Sequence, residues 1–164
     1  MFARAFLIGA LTVWASLPAS AAPSTDARDM PVATRDGIVA VRSAYPMAET
    51  IERLRQDIVS KGITFFTAIE QSRLAGDTGV TLPPSTLLIF GNPALGAQFI
   101  TSNPLAGLDW PVRLLVFQDE SGAVWTAYTD FQWIAQRHQI KDRDAAFGKA
   151  SEVIASITAS VKER

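Results

Sequence analysis

The sequence contains no cysteine and only one histidine, His138, among its 164 residues. The absence of cysteine excludes disulfides, thiolate metal sites and a cysteine nucleophile. Zinc needs three or four nitrogen, sulfur or carboxylate ligands, and a single histidine without cysteine leaves only weak, oxygen-rich sets. We therefore expect no metal and no other cofactor.

Positive charge is not in excess either, because 15 Lys and Arg residues face 16 Asp and Glu residues. Proteins that bind nucleic acids usually present a basic surface, so no nucleic-acid partner is expected. The glycine-rich phosphate-binding motifs and the Gly-x-Ser-x-Gly turn are also missing. The sequence therefore contains no recognisable catalytic motif. Its length fits a single domain.

Long apolar runs are absent except at the N-terminus, where residues 6–14 follow the positive charge of Arg4. Residues 19–21, Ala-Ser-Ala, match the small-residue rule for signal-peptide cleavage. The alternative is an uncleaved membrane anchor, but the run is short for a span of roughly 20 residues and Pro18 closes it. We interpret residues 1–21 as a signal peptide that is cleaved near Ala21.

Cleavage there removes only Arg4 from the charged residues and leaves 14 basic and 16 acidic side chains. The mature chain has no further segment that could span a membrane, so we expect an exported protein, periplasmic or secreted. Residues 22–35 are rich in Pro, Ser, Thr and charged side chains, a composition typical of a disordered leader.

Apolar periodicity from residue 36 onward predicts an α+β domain. The expected strands are residues 37–44, 63–69, 86–90, 111–118 and 123–129, the last two joined as a hairpin. Residues 86–90 are apolar on both faces, which favours a position inside the sheet. An amphipathic helix fits between Pro46 and Gly62, whereas residues 71–84 look like a long irregular connection. A capped helix is expected from Thr129 or Asp130 to His138.

Two Asn-Pro pairs, Asn92-Pro93 and Asn103-Pro104, predict helix starts, because asparagine caps a helix and proline fits its first position. The helices expected to follow are Pro93 to Ser102 and Pro104 to Leu108. A helix start could also bind an anion, but plain capping is the commoner use.

The C-terminal segment predicts one more helix with an apolar stripe. Burial of this stripe on the sheet is one interpretation and a dimer seam is the other. The stripe consists of Phe147, Ala150, Ile154, Ile157 and Val161.

An ordered set of short motifs resembles the domain-of-unknown-function 302 family. The set consists of residues 90–93 (Phe-Gly-Asn-Pro), Asn103-Pro104, residues 108–111 (Leu-Asp-Trp-Pro), residues 124–128 (Val-Trp-Thr-Ala-Tyr) and Arg137-His138. The resemblance implies a β-α-β(4)-α fold, in which a curved antiparallel sheet has helices packed on one face, and it implies homodimers. The domain would span residues 36–140, with residues 141–164 as a C-terminal helix packed on it. The family has no agreed activity.

The chain departs from the family at one position. Members commonly carry a histidine just after the second strand, where this sequence has Gln71. Glutamine neither titrates near neutral pH nor normally binds transition metals. A mechanism based on two imidazoles is therefore not expected here.

Five residues are the candidates for a ligand site: Asn92, Asp109, Arg113, Tyr128 and His138. In one hypothesis the protein is a non-catalytic module for small-ligand binding or assembly, with a ligand between sheet and helices or beside the aromatic residues of the hairpin region. In the second it is a metal-independent enzyme, in which His138 and Asp109 supply a base and its orienting carboxylate and Arg113 holds a small anionic substrate. In the third it is purely a structural protein-interaction domain. His138 late in a helix also fits a simple capping role.

Overall fold

The computed structural model describes residues 32–33 and 36–162, so the predicted signal peptide lies outside the described residues. Six antiparallel strands form one sheet in the order β1-β2-β6-β5-β4-β3. The strands are β1 (Val32–Ala33), β2 (Ile38–Arg42), β3 (Thr64–Glu70), β4 (Ser85–Gly91), β5 (Val112–Gln118) and β6 (Val124–Thr129). The helices are α1 (Met47–Ser60), α2 (Gln71–Gly76), α3 (Pro93–Ser102), α4 (Phe131–Arg137) and α5 (Asp144–Ala159), with a 3-10 helix at Pro104–Leu108. The α+β prediction is confirmed.

The hydrophobic core lies on one face of the sheet. Side chains alternate between the two faces of a strand, and on the core face Leu88 of β4 lies opposite Leu114 of β5, both fully buried. Helices α1, α3, α4 and α5 all contribute buried residues to this core. The apolar stripe predicted for the last helix is buried there as well, so the fold of the monomer already uses it.

Two segments differ from the sequence prediction. Val32–Ala33, inside the predicted leader, pair with β2, whose outer edge would otherwise leave backbone groups unpaired. Helix α2 forms within the predicted irregular connection. None of its residues is buried, so no apolar periodicity indicated it. It is held to β4 by a 2.8 Å hydrogen bond from the Ser85 hydroxyl to the Gln71 amide oxygen.

The other face of the sheet, which we call the open face, also carries apolar side chains. Strand register aligns five of them in a row across β3, β4, β5, β6 and β2, and each is half-buried. The row consists of Ile69, Leu87, Leu115, Ala127 and Ala40. The four helices that supply the core pack on the opposite face.

Candidate functional site

The two Asn-Pro pairs begin helices, as the sequence predicts. Asn92 Oδ1 accepts the Leu95 N–H at 3.2 Å at the start of α3. Asn103 Oδ1 accepts the Leu105 N–H at 3.0 Å at the start of the 3-10 helix. The Asn103 amide also donates to the His138 carbonyl at 2.8 Å. Asn103 therefore ties the 3-10 helix to the end of α4.

Asp109 directly follows the 3-10 helix as its C-cap. Its side chain is 3% exposed and lies at the centre of a charged group that we call the Asp109 cluster. Its Oδ1 accepts from Arg113 Nη2 at 3.0 Å and from Arg137 Nη1 at 3.3 Å. Its Oδ2 lies 3.2 Å from Arg137 Nη1 and 2.6 Å from His138 Nε2. A buried carboxylate needs several partners, and these three residues provide them.

His138 reaches Asp109 because of the way α4 ends. The residue after it, Gln139, has a φ of 53°, in the left-handed region. The Ile140 N–H bonds to the Ala135 carbonyl at 3.0 Å, the bond that defines a Schellman ending. His138 occupies the C-cap position of α4 and bonds to the helix carbonyls through its backbone N–H, whereas the capping interpretation expects its side chain to do so. Its ring, 6% exposed, is directed to Asp109 instead of the helix carbonyls.

The Asp109 cluster carries a net positive charge. Two guanidinium groups face one carboxylate, so the formal charge is +1 when the imidazole is neutral. The side chains of Arg113 and Arg137 remain 49% and 46% exposed. Each uses a single terminal nitrogen on Asp109, and among the described residues no hydrogen bond occupies their other nitrogens. Arg137 also lies over the Trp133 ring, 5.5 Å from its centroid.

A cavity of about 710 Å³ lies elsewhere, between the end of β4, α3 and α5. We call it the apolar cavity. Its wall is mainly aliphatic and aromatic, with Phe90, Phe99, Phe131 and Ile154 at the core side. Its polar lining residues are Lys61, Asn92, Gln98, Lys149, Glu152 and Ser156.

Trp110 forms one wall of the apolar cavity and directly follows Asp109 in the chain. Two glycines make room for its indole. A Cβ at Gly96 of α3 would lie 2.0 Å from Trp110 Cε2, and one at Gly91 of β4 would lie 3.1 Å from Trp110 Nε1. Glycine at these positions therefore shapes the cavity wall.

A second cavity of about 400 Å³, which we call the polar cavity, adjoins the Asp109 cluster. Arg137 and His138 line it together with residues from the end of α3 and the start of the 3-10 helix. The other lining residues are Ser102, Asn103, Leu105, Gln139 and Ile140. Within the part of the chain that the structure describes, no group of three or more His, Cys, Asp or Glu side chains could hold a metal ion.

The structure divides the five predicted site residues between different places. Asp109, Arg113 and His138 meet in the Asp109 cluster, whereas Asn92 caps α3 and lines the apolar cavity. Tyr128 lies half-buried on the core face of β6 and lines neither cavity. Burial, and then the charge of Asp130, raise the pKa of Tyr128.

The aromatic residues around the hairpin do not converge on one site. Trp110 lines the apolar cavity, Trp133 packs against Gly37, and Trp125 Nε1 donates to Asp119 at 2.8 Å. A hydrogen bond from the Ser121 side chain, and then the bond from Trp125, lower the pKa of Asp119. A ligand bound beside the hairpin aromatics would therefore meet Trp110 and not the whole set.

Arg137 is the residue that the candidate set omits. It follows two turns of helix and precedes the only histidine, so the sequence alone marks it as a C-terminal helix cation. Its contact with Asp109 depends on how the hairpin and α4 bring residues 28 positions apart together. Its presence in the Arg137-His138 motif is the signal that could have placed it in the site.

Gln71, where the family commonly has histidine, lies far from His138. Gln71 bonds to Ser85 at the start of β4, while the Asp109 cluster precedes β5 at the end of β4, where Phe90 pairs with Val112. A seven-residue strand is roughly 20 Å long at about 3.3 Å per residue. A histidine at position 71 would not reach His138 in this fold.

Comparison with known proteins identifies the family. The model of the family described as "Domain of unknown function DUF302" matches residues 39–163, about three quarters of the chain. The chain belongs to the DUF302 family. The match continues through α5, which the short motifs left outside the resemblance. The crystal structure of an uncharacterized conserved DUF302 protein from Bacillus stearothermophilus superposes with a TM-score of 0.71. It covers 77% of this chain and 98% of that protein at 19% identity, which shows a shared fold.

Curated relatives of this DUF302 protein include a protein named fluoride-specific ion channel FluC 1 from Brucella suis biovar 1. It is 41% identical over 104 residues, which is 63% of this chain and 41% of that relative. A protein with the same name from Brucella abortus is equally similar and is covered over 38% of its length. The chain thus spans about two fifths of these relatives. Among the described residues no helix has the length and apolar character that a membrane crossing requires.

Proposed function

We propose that this DUF302 protein is a non-catalytic module that binds a small apolar or amphiphilic molecule in the apolar cavity. The observation that carries the proposal is the cavity itself. Its volume of about 710 Å³ falls within the roughly 300–1,000 Å³ of typical ligand sites. Its lining combines a continuous apolar wall with a few polar groups, the usual composition of such sites.

The lining also indicates what kind of molecule fits. Ile63, Leu95, Trp110 and Val112 supply apolar contacts besides the core phenylalanines, so the body of the ligand would be aliphatic or aromatic. Both lysines in the lining have acidic partners: Lys61 contacts Asp57, and Lys149 contacts Glu152. The ligand therefore needs no strong charge, although an anionic head group would find a cation nearby. The region shared with the Brucella proteins is only about two fifths of their length. Their names therefore do not indicate the ligand class of this chain.

Filling the cavity tests the proposal. Ala94 of α3 lines the cavity and is exposed, so Ala94→Trp would occupy the cavity without disturbing the core. Ala97→Trp is the matched control, because Ala97 is exposed on the same helix and does not line the cavity. We expect fluorescent anilinonaphthalene sulfonate and dodecanoate to bind the wild type and Ala97→Trp, with at least tenfold weaker binding to Ala94→Trp. Equal binding by all three proteins, or none by the wild type, contradicts the proposal.

A second candidate is a metal-independent enzyme that uses His138, Asp109 and Arg113 on a small anionic substrate. The observation in its favour is the 2.6 Å contact that orients the imidazole on a buried carboxylate, an arrangement typical of a general base. His138 also lines the polar cavity. Hydrolysis of nitrophenyl phosphate and nitrophenyl acetate should then fall at least a hundredfold in His138→Gln. Turnover that is absent, or equal in both proteins, removes this candidate.

We also propose that two copies associate through the open face. The family resemblance implies homodimers, and the row of half-buried apolar side chains from Ile69 to Ala40 offers a self-complementary surface. Light scattering after size exclusion should give a dimer for the wild type and a monomer for Leu115→Glu. Leu82→Glu, which alters a leucine that is 45% exposed outside the sheet, should stay dimeric. A monomeric wild type refutes the dimer. If Leu115→Glu and the wild type are both dimeric, the open face is not the interface, and the structural-interaction alternative would need another surface.

The protein is proposed to work outside the cytoplasm, as the signal-peptide pattern of residues 1–21 indicates. Intact mass measurement of the protein from a bacterial envelope fraction tests this. A mature chain that begins at Ala22 supports export. A full-length chain confined to the cytoplasm contradicts it.

A further inference from the structure

We propose that Arg137 forms a binding site for a small oxyanion, a carboxylate or phosphate group, in the polar cavity, and that the positive charge of Arg113, which lies outside the cavity lining, adds to the attraction. The proposal requires neither a ligand in the apolar cavity nor catalysis. It concerns what the Asp109 cluster presents to solvent.

Asp109 fixes the two guanidinium groups. Arg113 Nη2 and Arg137 Nη1 both contact the same oxygen, Asp109 Oδ1, at 3.0 and 3.3 Å. The two groups converge although their side chains start from β5 and α4. His138 occupies the other side of the carboxylate at Oδ2. Both carboxylate oxygens of Asp109 therefore accept hydrogen bonds. Its single negative charge holds both arginines in place but neutralises the charge of only one.

The cluster has more N–H donors and more positive charge than Asp109 uses. The cluster keeps a formal charge of +1 with a neutral imidazole. Both guanidinium groups are about half exposed and have N–H groups that bond to nothing among the described residues. Guanidinium groups bind planar carboxylates and phosphates through pairs of such N–H groups. A fixed, half-exposed guanidinium loses less freedom on binding than a mobile one.

The polar cavity provides space for an anion in front of Arg137. The polar cavity of about 400 Å³ is lined by Arg137 and by neutral polar groups from Ser102, Asn103 and Gln139. The Ser102 hydroxyl is hydrogen-bonded to Asp142, and that bond lowers the pKa of the Asp142 carboxyl. Asp142 itself is exposed and is paired with Arg143 at 2.7 Å, so its charge is partly offset. The cavity of about 400 Å³ has room for a phosphate or a carboxylate group in front of the Arg137 guanidinium.

The experiment uses His138 as its reporter, since it is the only histidine in the chain. In tag-free protein, its ring C–H proton resonances report the cluster without ambiguity of assignment. Inorganic phosphate and acetate are titrated separately, with total ionic strength held constant by chloride. We expect saturable shifts of the His138 resonances in the wild type. The acetate and phosphate titrations show which oxyanion the site prefers.

Three variants complete the test. Arg137→Gln should weaken binding at least tenfold, and Arg113→Gln by roughly threefold, because Arg113 does not line the polar cavity. Arg53→Gln is the matched control. Arg53 is also 43% exposed, bonded to a carboxylate and placed over an aromatic ring, but it lies on α1. It should bind like the wild type. Shifts that are linear in anion concentration, or that are the same in Arg137→Gln, overturn the proposal. Dodecanoate binding in Arg137→Gln shows separately whether the apolar cavity is intact.

Discussion

The buried carboxylate of Asp109 should contribute more to stability than any other charged side chain of its cluster. Asp109→Ala leaves the 6% exposed ring of His138 without its hydrogen-bond partner, which costs about 1–3 kcal/mol. It also removes two half-exposed ion pairs, each worth about 0.2–1 kcal/mol. We therefore expect a loss of about 1.4–5 kcal/mol in the free energy of unfolding. At about 4 °C per kcal/mol for a domain of this size, the melting temperature should fall by roughly 6–20 °C.

The other variants of the cluster separate hydrogen bonding from charge. Arg113→Ala and Arg137→Ala should each cost no more than about 1 kcal/mol, because half-exposed ion pairs are screened by water. Asp109→Asn should fall between them and Asp109→Ala, at about 1–2 kcal/mol. The asparagine amide can donate to an unprotonated Nε2 of the imidazole, so His138 keeps a partner. The charge is lost, and so is the Arg137 Nη1 contact with that atom, because an amide nitrogen cannot accept a hydrogen bond.

Urea unfolding followed by tryptophan fluorescence measures these losses. Asp57→Ala is the control, since Asp57 has an equally short 2.6 Å contact with Lys61 but on the surface of a helix. It should cost less than about 1 kcal/mol. The reasoning is refuted if Asp109→Ala unfolds within about 1 kcal/mol of the wild type, or if either arginine variant costs as much as Asp109→Ala.

Two further predictions concern the cavity wall and the core face. Gly96→Ala should destabilise the protein by about 1–3 kcal/mol because the new Cβ would overlap the Trp110 indole. Gly148→Ala in α5 should stabilise it by up to about 1 kcal/mol, because a Cβ there meets nothing within 4 Å. If chemical denaturation gives changes of the same sign for both variants, this prediction is contradicted. In a Tyr45→Phe background, ultraviolet titration should show that Tyr128 ionises above the ordinary tyrosine pKa, because burial disfavours the phenolate. The contribution of neutral Tyr128 to the free energy of unfolding is fully present below the unfolded-state pKa near 10 and is lost as the pH rises through the folded-state pKa. A titration midpoint of Tyr128 at or below pH 10 would contradict the raised pKa.

Local chemistry made part of this fold predictable from the sequence. The Asn-Pro pairs specify helix starts through side-chain caps and the fixed φ of proline, and both helices begin where predicted. The β5–β6 hairpin is marked by its polar turn, in which Gly122 adopts a φ of 84°. Helix α2 could not be predicted in this way, because none of its residues is buried and the helix is held by hydrogen bonds to Ser85 of β4.

The Asp109 cluster shows where sequence reasoning stops. Asp109 and Arg113 are four residues apart, but across the end of a 3-10 helix and a strand, where spacing alone implies no contact. His138 is 29 positions from Asp109 and reaches it only through the register of β5 with β6 and the ending of α4. The residue types indicated the possible chemistry, whereas their meeting depends on tertiary structure. Tyr128 is a candidate because it is one of the aromatic residues in and beside the hairpin, and strand alternation places it against the core.

The segment from Asp109 to Pro111 belongs to both candidate sites, which links them physically. Asp109 anchors the charged cluster, and Trp110 forms a wall of the apolar cavity against Gly91 and Gly96. A variant that releases Asp109 should also loosen Trp110, because one backbone segment positions both side chains. Weaker dodecanoate binding in Asp109→Ala would therefore not place Asp109 in the apolar cavity. Arg137→Gln leaves this segment unchanged, so it is the variant that separates the two sites.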